Sequence, residues 1–234
     1  MKKTARILFF GVFAALATVA SAGDITGKII LNGAPPKESL LPLDPLCKQL
    51  HGSKSATTRY FVVGKGGALA DVFIHLKEGV KNPPPPSKKP VVIDQKKCEY
   101  LPYVVGVQTG QEIHVLNSDP VLHNVHPTPR VKGNPEKNFA QLPKGPPLKF
   151  KYDNPEIFIR FKCDIHPWMY AYVAVVPHPY FAVSGVDGSY TIKNVPAGKY
   201  TLEIYHRRAG KMEKEIEVGA SGKLTANFTL NAPK

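Results

Sequence analysis

The stretch Ile157-Phe-Ile-Arg-Phe-Lys-Cys163, followed by Asp164-Ile-His-Pro-Trp-Met169, carries the most information about the fold of this chain. In its first part, Ile157, Ile159, Phe161 and Cys163 recur at every second position. Successive side chains of a β-strand point to opposite faces, so this alternation predicts a strand whose apolar face ends with Cys163 pointing towards the core. The second part then predicts a short loop, before the return strand over residues 172–176.

The loop places a thiol, an imidazole and a thioether at regular spacing, in Cys163, His166 and Met169. A further imidazole pair, His123-Asn-Val-His126, lies about forty residues upstream. A Cys thiolate, two imidazoles and a weak axial Met form a blue-copper electron-transfer site, because this donor set suits both oxidation states of the metal. We therefore expect one type 1 copper ion per chain, with the ligands His123, Cys163, His166 and Met169.

Other chemistry at these residues fits less well. Structural zinc sites usually take four Cys or His ligands and have no use for Met169. A binuclear copper centre would need a second Cys in the loop, and a Cys163–His166 nucleophile would need a device for stabilising an oxyanion. We therefore expect a metal-binding protein that is not an enzyme, and we expect Asn124 to hydrogen-bond to the Cys loop and stiffen the site.

The rest of the chain predicts an all-β protein. Pro (23 residues) and Gly (19 residues) are frequent, and long helical periodicity is missing. Short alternating runs lie between turn signals, as expected for strands. The segment 81–90 is a stiff proline-rich linker. Residues 181–186 and 190–192 flank Asp187-Gly188 and predict a hairpin.

The N-terminus has the pattern of a removable signal peptide. Lys2, Lys3 and Arg6 precede an apolar run over residues 7–20, and Ala20-Ser-Ala22 is a cleavage signal. The run is short for a spanning helix, although a retained anchor is the alternative. The pattern predicts a periplasmic or secreted protein with no stable membrane span after cleavage.

An exported location bears on the three cysteines. If Cys163 binds metal, Cys47 and Cys98 remain as an even pair, which predicts a disulfide in an oxidising compartment. The alternative is two separate thiols, since sequence cannot show that two Cα atoms lie within bonding range.

The net charge of +13 favours acidic partners, which it would attract over long range. Lysines spread over solvated loops explain the same charge equally well. We do not expect a nucleic-acid partner, because no basic run interleaved with aromatic residues is found and export argues against that use.

The copper motifs resemble those of the cupredoxins, the small blue copper proteins, of the amicyanin and plastocyanin type. The resemblance rests on His123-Asn-Val-His126, on Cys163-x-x-His-Pro-x-Met169 and on the run Gly110–Asp119. It covers residues 89–177 and implies a Greek-key β-sandwich with the same four copper ligands. It also implies that His126 is not a ligand. Trp168 is either a core residue or part of a docking patch around an exposed edge of His166.

The C-terminal region resembles a second family, the carboxypeptidase regulatory-like, transthyretin-like β-sandwiches. The match rests on Asp187-Gly-Ser-Tyr-Thr-Ile192 and Val195-Pro-Ala-Gly-Lys-Tyr-Thr-Leu202, and Gly23–Pro36 resembles the first strand of such a module. The expected organisation is a signal peptide (1–22), an N-terminal β segment (23–88), the cupredoxin domain (89–177) and the second sandwich (178–234). Either the second sandwich is split by the cupredoxin, or it is separate and residues 23–88 are an extension.

These features favour an exported carrier of single electrons between redox proteins, such as a cytochrome c or a dehydrogenase, with acidic docking faces. A copper-binding or delivery protein without redox traffic is the first alternative. A β-sandwich interaction module is the second, because fold resemblance is a weak basis for function.

Overall fold

A computed structural model describes residues 22–52, 56–219 and 222–233. The signal peptide expected at the N-terminus lies outside these residues, except for Ala22. Strands make up nearly all of the regular secondary structure of the described residues, so the all-β prediction is confirmed. Among them, no helix has the length and apolar character needed to cross a bilayer.

The regular elements of the described residues are 17 strands, one helix and one 3-10 turn. The strands are β1 (Ala22–Asn32), β2 (Phe73–Glu78), β3 (Val91–Gln95), β4 (Tyr100–Leu101), β5 (Val104–Gln108), β6 (Ile113–Asn117), β7 (His123–Thr128), β8 (Phe139–Gln141), β9 (Leu148–Phe150), β10 (Glu156–Lys162), β11 (Tyr170–Val176), β12 (Phe181–Val183), β13 (Ser189–Pro196), β14 (Gly198–His206), β15 (Gly210–Val218), β16 (Gly222–Thr225) and β17 (Phe228–Asn231). Helix α1 (Pro45–His51) and a short 3-10 turn (Lys65–Gly67) lie between β1 and β2.

Two sheets, with strand orders β5-β11-β10-β7-β8 and β4-β3-β6-β9, form what we call the central sandwich. Their inner faces share one core, which includes Ile93, Val115, Phe161 and Val173. The predicted alternation of β10 places Ile159, Phe161 and Cys163 in this core. The alternation fails at Ile157: the register shifts at a bulge around Phe158, which has a φ of +68°, and Ile157 packs with Phe158 in a cluster on the opposite face.

The other two sheets form the flanking sandwich. One contains β13-β1-β16, with β17 also paired to β1, and the other has the order β12-β2-β14-β15. Strand β1 is the centre of its sheet, pairing antiparallel with β13 and parallel with both β16 and β17. Ile25 and Ile29 of β1 are buried in one core with Leu202 and Ile204 of β14. The first described strand is therefore packed with the last ones, although the strands of the central sandwich lie between them in sequence.

One local prediction is wrong. The turn at Asp187-Gly188 exists, with the Gly188 N–H donating to the Gly185 carbonyl, but it does not join a hairpin. Strand β12 pairs with β2, whereas β13 pairs with β1 in the facing sheet. The turn therefore connects two layers, because each strand finds a partner from far along the chain.

The two sandwiches meet at a third apolar cluster. Phe73 of β2 and Phe181 of β12 pack there against Val104, Phe158 and Tyr172 of the central sandwich. Gly106 allows this approach, because a Cβ at that position would lie 2.4 Å from the Phe181 ring. The contact holds the flanking sandwich against the outer face of the β5-β11-β10 sheet.

Helix α1 is attached to the central sandwich. Asp44 caps its first turn, accepting a hydrogen bond from the Cys47 N–H at 2.8 Å. Cys47 is fully buried and forms a disulfide with Cys98, between β3 and β4. The helix is thereby placed directly over one end of the central core.

Candidate metal centre

The loop from Cys163 to Met169 joins β10 to β11, which are paired neighbours in one sheet. The loop is closed by its own backbone: the Cys163 N–H donates to the Met169 carbonyl at 3.1 Å, and the Met169 N–H donates to the His166 carbonyl at 2.8 Å. Strand β7 lies on the other side of β10 and brings His123 to the same end of the sheet. Two strands and a short loop thus hold the site.

Three of the four expected ligands converge. His123 Nδ1 lies 3.0 Å from His166 Nδ1, and Cys163 Sγ lies 3.7 Å from the same His166 nitrogen. One ligand atom from each of the three residues fits within 4.8 Å of the others. Met169 is 1 % exposed and lies in the same buried cluster as Cys163.

Each imidazole also faces a carboxylate through its other nitrogen. His123 Nε2 donates to Asp119 Oδ2 at 2.9 Å, and His166 Nε2 lies 3.2 Å from Asp44 Oδ2. A carboxylate accepts from an N–H, so these contacts place the ring proton of both histidines on Nε2. The two Nδ1 atoms are then left with lone pairs that point at each other.

This arrangement fits a cation between the rings. Two facing lone pairs at 3.0 Å repel each other unless a proton or a metal ion lies between them. The donor set is two imidazole nitrogens and a thiol, with a buried thioether nearby, and it matches what copper takes in a trigonal site with a weak axial ligand. The carboxylates would fix the ring orientations, as partners of metal-bound histidines generally do.

Of the three converging ligands, Cys163 and His166 have pKa shifts that favour metal binding, whereas the raised pKa of His123 opposes it. Burial raises the pKa of Cys163, but its interactions with His123 and with the Asn124 backbone N–H outweigh burial, so its pKa lies below the usual value. Burial also opposes ionisation of His123, yet Asp119 and Cys163 bring its pKa above the usual value. The pKa of His166 is lowered, first by burial and then by the charge of His123. A thiolate and a neutral His166 are the forms that bind a metal.

Asn124 connects the two ligand segments. Its backbone N–H points at Cys163 Sγ at 3.4 Å, and its side-chain oxygen accepts from the Asp164 N–H. Its side-chain nitrogen donates to Asn138, and its carbonyl accepts from the Tyr100 hydroxyl at 2.6 Å. These bonds fix β7 to the Cys loop, beside the sulfur.

His126 lies outside this cluster. Its ring contacts Asp164 and Glu136, each at 2.7 Å, in a polar surface network. Side chains of one strand alternate between faces, so His123 and His126 point differently although they are close in sequence.

His166 does not have the exposed edge that one of the two alternatives for Trp168 requires. The residue is only 7 % exposed, because Asp44 and the start of α1 cover its Nε2 side. The Cys47 sulfur lies within 4.8 Å of a His166 nitrogen and an Asp44 oxygen. The Cys98 sulfur lies within 4.8 Å of a His123 nitrogen and an Asp119 oxygen. The disulfide therefore lies directly behind both imidazoles.

Sequence reasoning missed the two carboxylates. Asp119 could have been found, since it precedes His123 by one short turn in the run that enters β7. Asp44 gave no such signal, because it is far from His166 in sequence and only the packing of α1 brings them together. Trp168, the half-buried residue next in the loop, has its ring centroid 5.3 Å from that of His166.

Comparison with known proteins gives fold-level likenesses only. No family model matches the chain. No curated protein matches it. Among solved structures, it is similar to a copper-containing nitrite reductase (NirK) from Thermus scotoductus SA-01, at 20 % identity and a TM-score of 0.34, over 43 % of this chain and 25 % of that chain. The chain thus spans about a quarter of that reductase chain.

Two smaller proteins show a similar likeness. An oxidised proline-to-glycine mutant of amicyanin is 20 % identical, with a TM-score of 0.33, over 43 % of this chain and 89 % of that chain. A purple cupredoxin from Nitrosopumilus maritimus is 19 % identical, with a TM-score of 0.31, over 36 % of this chain and 98 % of that chain. Each likeness covers less than half of this chain, and its function does not transfer at such values.

Proposed function

We propose that this protein is an exported type 1 copper protein that carries single electrons between redox partners. The observation that supports it most is the pair of Nδ1 atoms, 3.0 Å apart beside the Cys163 sulfur, with both Nε2 atoms engaged by carboxylates. We infer one copper per chain, held by His123, Cys163, His166 and the more weakly binding Met169.

The role of each residue follows from its place. Bound copper would supply a one-electron couple between Cu(II) and Cu(I). The two imidazoles are held from behind by Asp119 and Asp44, and the sulfur is held by the Asn124 N–H. Because the ligands are anchored to paired strands and a closed loop, they need little movement when the charge of the site changes. Burial of the cluster excludes water from it.

The test is spectroscopic and uses the mature protein with one equivalent of Cu(II). We expect an intense blue absorption band and a narrow copper hyperfine splitting in the electron paramagnetic resonance spectrum. Cys163→Ser should abolish both. His123→Ala should also abolish them, whereas the matched control His126→Ala, a change of the same kind on the same strand, should keep them. A pale species with ordinary splitting in the unaltered protein would refute the proposal.

A copper-binding or delivery role is the second candidate, and one observation favours it. Asp44 and α1 close over His166, an arrangement that would retain copper rather than expose it. The two roles differ in the rate at which hexacyanoferrate(III) oxidises the Cu(I) form. Rapid oxidation supports the electron carrier, and a rate near background with a retained copper ion supports delivery or storage.

For the flanking sandwich we propose a transthyretin-like module that supports contacts rather than catalysis. It is built from the first and the last of the described strands and packs on the outer face of the central sandwich. We infer an electron carrier rather than an enzyme, acting in the periplasm or outside the cell after removal of a signal peptide. Its partners would be acidic redox proteins, a cytochrome c or a dehydrogenase.

A further inference from the structure

An open groove of about 540 Å³ lies between the two sandwiches, beside the metal loop. We call it the arginine groove. Its defining residues are Tyr60, Arg160, Pro167, Trp168, Arg207 and Arg208. Pro167 and Trp168 directly follow His166, whereas Arg207 and Arg208 lie in the turn between β14 and β15 of the flanking sandwich. The groove is therefore assembled from both sandwiches and exists only because they are packed together.

Each of its three arginines stacks on an aromatic ring. The guanidinium carbon lies 4.7 Å from the ring centroid for Arg160 on Tyr170, 4.4 Å for Arg207 on Tyr172 and 4.0 Å for Arg208 on Tyr60. Stacking holds a guanidinium flat and leaves its N–H edge free for a carboxylate. The groove thus presents pre-oriented cations on an aromatic floor.

These cations are not neutralised within the described part of the chain. None of the three arginines has a carboxylate within 4.0 Å there, and the described residues that line the groove include no Asp or Glu. The buried Arg160 Nε–H and Trp168 Nε1–H also lack hydrogen-bond partners. The three guanidinium groups therefore keep their positive charge along the groove.

The groove is also the surface that lies next to the metal ligands. Asp44 covers the Nε2 side of the His166 ring. The same ring packs on Trp168, and the two ring centroids are 5.3 Å apart. A molecule seated in the groove would contact the Trp168 and Pro167 side of the loop. It would then be separated from the ligand His166 by a single side chain.

We propose that the arginine groove docks the acidic face of a protein redox partner, and that the flanking sandwich serves to complete this docking site. The inference rests on the proposed electron-carrier function and names the surface that serves it. A planar guanidinium group can donate two parallel hydrogen bonds to one carboxylate. Arg, Tyr and Trp are also the residues that contribute most often to the binding energy of protein interfaces. An open groove lined by both sandwiches can contact a broad protein surface. Attraction between opposite charges raises the rate of association and so favours fast, brief encounters.

The kinetic test compares two charge reversals of equal size. R207E/R208E changes the exposed turn at the groove, and K193E/K223E changes two exposed lysines on the opposite sheet of the flanking sandwich. The probe is electron transfer from the Cu(I) protein to an acidic c-type cytochrome at low ionic strength. We expect R207E/R208E to lower the second-order rate constant about tenfold or more, since steering contributes factors of this order. K193E/K223E should lower it less than twofold.

R207Q/R208Q removes the two charges without reversing them and controls for misfolding. Its rate constant should lie between those of the unaltered protein and R207E/R208E, and its copper spectrum should be unchanged. A basic cytochrome c should react no more slowly with R207E/R208E than with the unaltered protein. Equal losses for the groove and control variants would overturn the docking site in favour of general charge attraction. No loss in R207E/R208E would also overturn it.

A second readout does not depend on electron transfer. The chain has a single tryptophan, Trp168, so its fluorescence reports on the groove alone. Poly-L-glutamate should protect it from acrylamide quenching in the unaltered protein and in K193E/K223E, but not in R207E/R208E. Better protection by a single-stranded oligonucleotide of equal charge would overturn the proposal in favour of a nucleic-acid surface. Protection without any blue copper band would refute the electron-carrier function while supporting the acidic docking site.

Discussion

Removal of the disulfide Cys47–Cys98, by the double substitution C47A/C98A, should both destabilise the protein and open its metal site. The bond links residues 51 positions apart. In the chain-entropy treatment, a cross-link closing a loop of this length restricts the unfolded chain by roughly 14 cal/mol/K, or about 4 kcal/mol at 25 °C. Both sulfurs are fully buried, so their loss also removes packing and adds to this cost.

The stability effect is measured on metal-free protein by equilibrium unfolding in guanidinium chloride, followed by circular dichroism. With a slope of roughly 4–5 kcal/mol per molar, a loss of about 4 kcal/mol lowers the midpoint by roughly 1 M. A thiol reductant is the control. It should move the midpoint of the unaltered protein most of the way towards that of C47A/C98A, because reduction removes the cross-link but keeps both sulfur atoms, and it should leave the midpoint of the variant unchanged.

The effect on the site is measured by copper loss to excess chelator. The disulfide holds α1, and α1 carries Asp44 against His166. Each 1.4 kcal/mol by which this docking is weakened raises the open population about tenfold, and copper loss should accelerate accordingly. A midpoint shift below about 0.2 M together with unchanged copper loss would refute the view that the disulfide constrains the chain and closes the site.

The remaining predictions concern single residues. Asp44→Asn should speed copper loss to a chelator while leaving the unfolding midpoint of the metal-free protein nearly unchanged; equal rates with the unaltered protein would mean that the carboxylate does not hold His166. Gly106→Val should lower the free energy of unfolding, measured in urea, by about 1–3 kcal/mol, because the valine side chain would overlap the Phe181 ring. The copper spectrum of this variant should be unchanged. Burial lowers the pKa of His206 to about 4, and its Nδ1 accepts two backbone N–H bonds, so the unfolded chain takes up the proton first as pH falls. Stability should therefore decline from about pH 6.5 to about pH 4; His206→Asn should reduce this decline, and an identical decline in that variant would contradict the assignment.

Local pattern was enough to predict the all-β class and the strand that carries Cys163. Residues 157–163 alternate on one face, and β10 buries Ile159 and Phe161 in the central core as expected. The cysteine count left Cys47 and Cys98 as a pair, and the structure joins them. These inferences rest on short-range periodicity and on elimination, both of which are visible in a linear chain.

The motif for the metal was visible for a similar reason. Cys163, His166 and Met169 lie in one loop, so their spacing along the chain already reflects their spacing in space. Asn124 is the neighbour of His123, and its bond to the Cys loop follows from the pairing of β7 with β10.

Tertiary structure alone decided what surrounds that motif. The packing of the whole chain places β12 and β13 in different sheets and β1 among the last strands. It also brings Asp44 into contact with His166, although more than half of the chain separates the two residues in sequence. It also assembled the arginine groove from Arg160 of one sandwich and Arg207 of the other. Spacing and alternation determine which face of an element is apolar. Which elements then bury those faces against each other depends on the packing of the whole chain, and that choice sets the environment of the site.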